Sequence, residues 1–240
     1  MTGAAPIPFP PVEPVSTEIR FPDPARSGPR GIVAVGADFR AGTILAAYRS
    51  GIFPWPAGED DPRTGQPLVF WHSPDPRALY PLDREPDWSR SLRRTLRRHP
   101  WDVTFDTDFS GVVNACRDER PEAVWIVPEY VRAYVELHLR GFAHSVEVWE
   151  NVGGERLLVA GMYGISVGAA FAGESMFHRR TDASKVAFVA MAERLRSRNF
   201  ALFDVQVMNP HLASLGCEPC PRNEFLRRLA DAKNVAIPLA

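Results

Sequence analysis

An α+β fold with a mostly antiparallel sheet is what this 240-residue sequence predicts, and three observations carry that reading. First, 143–150 (AHSVEVWE), 156–164 (RLLVAGMYG) and 165–173 (ISVGAAFAG) are rich in β-branched and aromatic residues, with turn signals at 151–155 (NVGGE) and around Gly164. They read as an antiparallel meander. Second, Thr181 or Asp182 offers an N-cap to a helix over 183–198, whose Val186, Phe188, Val189 and Met191 suit packing on a sheet. Third, 200–207 (FALFDVQV) returns as a strand, which completes a β-β-β-α-β unit.

The elements before this unit follow from local signals. Residues 1–20 carry prolines and no hydrophobic periodicity, so a disordered, Pro-rich arm is expected there. Ordered structure is expected from 21–24 (FPDP), through the glycine-rich 31–39, into a helix over 41–50. Ile44, Leu45 and Tyr48 share one face of it, and Gly51 is placed to end it. A segment dense in proline and aromatics follows, in which Trp55, Phe70 and Trp71 form either a packed seam between two lobes or a wall on which a ring can stack. Residues 88–99 (WSRSLRRTLRRH) form a helix with Leu92 and Leu96 on one stripe. Arg90, Arg94 and Arg98 lie on another, with Arg93 and Arg97 beside them. A strand at 101–106, a short helix at 108–118 and a longer one from 127 to 139 lead into the meander, and two short helices close the chain.

Composition excludes several classes. With 28 basic and 29 acidic residues the net charge is −1, so a polyanion must be held by a local basic patch. The acid-free run of five arginines at 90–98 is such a patch. All but Lys185 and Lys233 of the basic residues are arginine, whose fork suits phosphate. The three cysteines, Cys116, Cys217 and Cys220, do not make a disulfide framework. The CEPC at 217–220 lacks partners for a zinc site, so no metal is expected. No apolar run approaches the ~18 residues of a membrane span, and the first residues lack a signal-peptide pattern, so a cytoplasmic protein is expected.

The stretch 161–177 (GMYGISVGAAFAGESMF) is the centre of the reading. Period two places Ser166, Gly168, Ala170 and Ala172 on one strand face, which is left hollow and either packs a helix or lines a ligand pocket. Glu174, set among Phe171, Met176 and Phe177, favours the pocket, because a carboxylate in apolar surroundings needs a partner.

FPDP, GIFPWP, WHSPDPRA, EVW, GMYG, GESMF, ASK, DVQ and HLASLG occur in this order, and together they resemble the bacterial leucyl/phenylalanyl-tRNA protein transferases from about Phe21 to Leu229. The resemblance implies a main domain like that of the GCN5-related N-acetyltransferases over 76–240, with a small N-terminal α+β domain over 21–75. It implies transfer of Leu or Phe, and less well Met, from aminoacyl-tRNA to the N-terminal Arg or Lys of acceptor proteins, which marks them for N-degron proteolysis. No cofactor is implied, and a monomer is expected. Residue by residue, the resemblance puts Trp55, Trp125, Met162, Phe171 and Glu174 at the aminoacyl-adenosine site and Asp204 and Gln206 at the catalytic centre. Phe188, Met191 and Phe203 are expected to bound the donor pocket, and Arg90, Arg93, Arg94, Arg97 and Arg98 to contact tRNA. The sequence departs from the family pattern at Phe70, Trp71 and His72, at Ala160, and at Val205.

The chemistry can be argued beside the resemblance. Asp204 and Gln206 lie two apart on a strand and so share a face. An aminoacyl ester is already activated, and it needs a positioned, unprotonated amine and help for the leaving 3′ oxygen. Gln206 has no basic state at neutral pH, so its expected role is to hold the amine by its carbonyl oxygen while Asp204 orients it. Adjacent His144 and Ser145 face opposite ways on a strand and make a poor hydrolase pair, and His138 and His211 read as structural. An acyl-CoA-dependent N-acyltransferase would need a glycine-rich loop where the chain reads ESMFHRRTDASK. A non-catalytic RNA-binding module would leave Asp204 and Gln206 unexplained.

Overall fold

The structure, a computed structural model, describes residues 6–28, 30–36, 38–63, 65, 67–84, 88–119 and 126–239. Near the N-terminus, β1 (Ile32–Val35), β3 (Pro67–His72) and β2 (Phe53–Asp60) form an antiparallel sheet in that order. Helix α1 (Ala41–Arg49) packs beside it, buries Ile44, Leu45 and Tyr48, and ends where Gly51 N–H bonds Tyr48 O and Ile52 N–H bonds Ala47 O. This pair of bonds is a Schellman close, and it turns the chain directly into β2.

Among the described residues the main sheet has seven strands. Their order is β10 (Glu218–Cys220), β4 (Arg77–Tyr80), β9 (Leu202–Gln206), β8 (Ala170–His178), β7 (Glu155–Val167), β6 (Ala143–Val152) and β5 (Asp102–Phe105). The β8 and β9 strands run parallel, joined through α5 (Ala183–Ser197), and the other neighbours pair antiparallel. Period two distributes β7 between two cores. Tyr163, Ile165 and Val167 join the cluster under α1, α3 (Phe109–Asp118) and α4 (Pro128–Leu139), whereas Ala160 and Met162 join the cluster under α5. The sheet is thus covered on both faces.

Four expectations are corrected. The second meander turn falls at Gly168 and Ala169, and not around Gly164, since β7 continues through Gly164 to Val167. Gly168 has φ +58, as the turn requires, whereas Gly164 lies in the ladder where a Cβ would sit 2.2 Å from Ala172 O. Strands β4 and β10 were not anticipated; CEPC is the edge strand β10, antiparallel to β4, and burial pushes the Cys217 thiol up to about 12. Asp182 does occupy the N-cap of α5, but its carboxylate bonds Lys185 Nζ at 2.7 Å and Thr95 Oγ1 at 3.3 Å, and no backbone N–H. From residue 6 the expected arm, although without helix or strand, lies on the body: Val12 N–H donates to Arg140 O, Thr43 Oγ1 to Thr17 Oγ1, and Glu13 pairs with Arg49.

Candidate active site

The site lies where the two parallel strands part. Pairing of β8 with β9 covers Ala170 to Ala172 and Leu202 to Asp204. Beyond it both strands carry an extra residue. Against β7, pairing steps from Ser175 to Gly173 while β7 advances by one, so Glu174 is the residue of a β-bulge. Against β4, pairing steps from Asp204 to Gln206 while β4 moves by one, which leaves Val205 extra. Two bulges side by side splay the strands. A cavity of about 810 Å³ opens between Gly173–His178 and Val205–Leu212, with Phe53 to Trp55 and Ser184 also on its walls. Ligands commonly bind at such carboxyl ends of parallel strands.

Glu174 is the organising group. Its Oε1 accepts from Tyr48 Oη at 2.5 Å and from Gln206 Nε2 at 2.8 Å; its Oε2 accepts from Tyr130 Oη at 2.8 Å and Tyr134 Oη at 3.1 Å. Tyr130 and Tyr134 lie one turn apart on α4 and stack at 4.0 Å between ring centroids, so both hydroxyls reach the same carboxylate. Burial raises the Glu174 pKa, the three tyrosine hydrogen bonds oppose it and the nearby Asp204 charge adds to it, with the balance at about 7. Burial and the Glu174 charge hold all three tyrosines well above their usual range, so they stay protonated donors.

Gln206 is oriented from two sides. Its amide nitrogen is committed to Glu174, which leaves the side-chain carbonyl oxygen as the acceptor facing the cavity. Its backbone N–H donates to Asp204 Oδ1 at 2.9 Å, and its φ is +65, a left-handed conformation uncommon outside glycine. Asp204 is buried and held by Arg77, with Nε to Oδ1 at 2.8 Å and Nη2 to Oδ2 at 2.6 Å. The guanidinium is itself 1 % exposed, lies between the Phe53 and Phe225 rings, and donates to Gly51 O. Asp204 therefore fixes the backbone of Gln206, while Glu174 fixes its side chain.

Asp204, expected at the catalytic centre, does not line the cavity but lies buried behind Gln206 on Arg77, and the other expected substrate and catalytic residues divide into three groups. Trp55, Met162, Glu174 and Gln206 line the cavity, and Trp55 packs edge-on to His72 at 5.8 Å. His72 also stacks on Phe53, and burial beside Arg77 lowers its pKa, so this ring backs the wall residues Phe53 and Trp55 as a neutral group. Phe171, Phe188, Met191 and Phe203 do not line it. They are 0 % exposed in the core under α5, with Phe188 stacked on Phe203 at 5.2 Å and Phe171 edge-on to Phe203 at 5.7 Å. The apolar wall is made instead by Met162, Met176, Val205, Met208 and Leu212. Trp125 lies outside the described residues. Ala170, on the supposed hollow face, borders a small cavity beside Arg77 and Phe225, so the helix-packing alternative holds there.

Arg90, Arg93, Arg94, Arg97 and Arg98 are exposed on α2 (Arg90–Arg98), capped by Ser89 Oγ accepting from Leu92 N–H. No ion pair joins any of them to an acid among the described residues. The Thr95 to Asp182 hydrogen bond ties α2 to the start of α5, two residues from the cavity-lining Ser184. His144 is bound through Nδ1 to Asp106 at 2.8 Å and His138 through Nδ1 to Ala143 O at 2.9 Å, both away from the site, whereas His211 lines it. Among the described residues no group of three or more His, Cys, Asp or Glu is placed to hold a metal ion.

Comparison with known proteins decides the family. The family model described as leucyl/phenylalanyl-tRNA protein transferase matches residues 81–230, and that of its N-terminal domain matches 37–75. The chain belongs to this family. A curated relative from Shewanella denitrificans, named leucyl/phenylalanyl-tRNA protein transferase, is 47% identical over 215 residues, 89% of this chain and 87% of the relative. Relatives of the same name from Shewanella baltica and Shewanella putrefaciens are each 44% identical over 218 residues, covering 89% of this chain and 87% of the relative. The family match therefore takes in both the cavity and the cage around Glu174.

Proposed function

We propose that this transferase moves Leu or Phe, and less well Met, from aminoacyl-tRNA to the N-terminal Arg or Lys of proteins, and that the splayed cavity is where the peptide bond forms. Such a product marks its acceptor for N-degron proteolysis. The observation that carries the site assignment is Gln206, whose amide nitrogen is held by the caged Glu174 and whose carbonyl oxygen is left to the cavity. The acceptor amine donates one N–H to that oxygen and directs its lone pair at the ester carbonyl. The C–N bond forms, the bond to the 3′ oxygen of the terminal ribose breaks, the amine loses a proton and the 3′ oxygen gains one. Positioning is most of the task, because the ester is already activated.

The parallel β8 and β9 pair, opened at its carboxyl end behind a crossover helix, supports a GCN5-related acetyltransferase-like main domain over 76–240 with a small domain over 21–75. We take the monomer to be the acting unit. No helix among the described residues is long and apolar enough to cross a membrane. We place the reaction in the bacterial cytoplasm, where charged tRNA and protein N-termini meet.

The test is transfer of labelled donor from charged tRNA to a peptide beginning with Arg. Leu-, Phe- and Met-tRNA should serve, because the methionines and Leu212 of the wall form a loosely selective apolar surface. Ile- and Val-tRNA should serve less well, and use of Ile as readily as Leu would contradict the donor assignment. For α2, tRNA binding by the Arg93→Ala, Arg94→Ala, Arg97→Ala triple variant should weaken, with the salt slope reduced by up to about 1 for each phosphate that the missing guanidinium no longer neutralises. An unchanged affinity and slope would make that helix a solvated face.

A further inference from the structure

A carboxylate on the cavity wall remains to be assigned, and we infer that Glu119 is the residue that selects a basic first side chain in the acceptor. This rests on the transfer reaction proposed above. An acceptor that begins with Arg or Lys brings a cation into the cavity beside its reacting amine, and the cavity must answer it with an acid. Among the described residues the carboxylates on the wall belong to Glu174 and Glu119. Glu174 is spent, since both its oxygens already accept two hydrogen bonds.

Glu119 differs in each respect. It is the C-cap of α3, where the last carbonyls of the helix add negative potential and favour a cation. Its side chain is 37% exposed. Arg179 directs both Nε and Nη2 at the same oxygen, Oε1, each at 2.8 Å, and no described residue bonds Oε2. Arg179 is anchored separately, by Nη1 to Leu158 O and by its position over the Phe177 ring, so it holds Glu119 in place without using its second oxygen. That oxygen can take one N–H of a guanidinium or an ammonium, and the charge on the acceptor is then read at a point apart from Gln206. A neutral first side chain leaves Oε2 to water and gains nothing.

The experiment uses full-length protein, Phe-tRNA, and peptides that differ only in their first residue, Arg, Lys or norleucine. For Glu119→Gln the preference for Arg over norleucine in kcat/KM should fall about 10- to 100-fold, as expected for one charge-assisted hydrogen bond, with the loss in the peptide KM and not in kcat. Glu119→Lys should lower the preference further and raise relative use of a peptide beginning with Asp. Because Glu119 is exposed, both variants should melt with the wild type. An unchanged preference in both variants overturns the assignment of Glu119 and leaves the transfer reaction standing. Failure of wild type to extend the Arg peptide at all overturns the reaction, and this inference with it.

Discussion

Gln206→Ala is expected to lower the single-turnover rate of transfer by about 10² to 10⁴ while charged-tRNA affinity stays near that of wild type. The expectation follows from what the side chain touches. In the proposed reaction Gln206 meets the amine through its carbonyl oxygen, and Glu174 holds its nitrogen, so the variant loses a positioned acceptor but no cavity wall of consequence to the donor. Its left-handed φ of +65 points the same way: strain at a non-glycine residue persists where the surroundings enforce it, and here Asp204 accepts the Gln206 backbone N–H. Transfer by the variant at the wild-type rate would remove Gln206 from the reaction.

The second large effect is on the fold. Asp204→Ala leaves Arg77, 1 % exposed, without its counter-charge, and breaking one side of a buried ion pair costs about 3–5 kcal/mol. The urea midpoint should therefore fall steeply, and loss of activity in this variant reports partly on unfolding. Replacing both partners, with Arg77→Met and Asp204→Leu, should recover much of the stability yet not the transfer rate. A single variant with an unshifted midpoint would show that the pair does not hold the end of β9.

How much of this was legible before the structure depends on whether a contact is local. Glu174 could be singled out because a carboxylate among Phe171, Met176 and Phe177 is a local anomaly, and Asp204 with Gln206 because two residues on a strand share a face. Val205 packs in the cluster under α5 while Asp204 and Gln206 meet groups beyond the opposite face, as period two requires. The tyrosine cage was not legible. Tyr48 comes from α1 and Tyr130 and Tyr134 from α4, and only tertiary packing brings them to one carboxylate, although two tyrosines four apart on a helix were a usable signal.

Period two also misled where bulges intervene. Ala172 and Phe177 lie in the same cluster although they are five positions apart, an odd step, because the extra residue at Glu174 reverses the alternation. The supposed donor pocket around Phe171, Phe188, Met191 and Phe203 is core for another reason: all four pack together under α5, on parts of the chain that the bulges do not reach. Strand β4 gave no alternation to read, since all four residues of Arg77–Tyr80 are buried, and β10 carries Pro219, which reads against a strand and is tolerated here because β10 is an edge.

The proposed reaction needs an ionised Glu174 that holds the amide nitrogen of Gln206, and pH tests this directly. With a pKa raised to about 7 by burial, Glu174 is protonated in the folded state across a range where the unfolded chain, near the usual ~4.3, has already lost its proton. The folded state then binds the extra proton, so the contribution of this group to stability falls as pH rises between those two values and levels off above. Activity should run the other way. Protonated, the carboxyl group turns one oxygen into a donor that captures the Gln206 carbonyl oxygen; ionised, it frees that oxygen for the amine. The decisive measurement is the pH dependence of single-turnover transfer from Phe-tRNA to an Arg peptide by wild type and Glu174→Gln. Wild type should rise through about pH 7, and the variant should be slow throughout and lack that limb, keeping only the titration of the acceptor amine near ~7.7–8.0. A variant with the wild-type rate and the same rise through pH 7 would contradict the account.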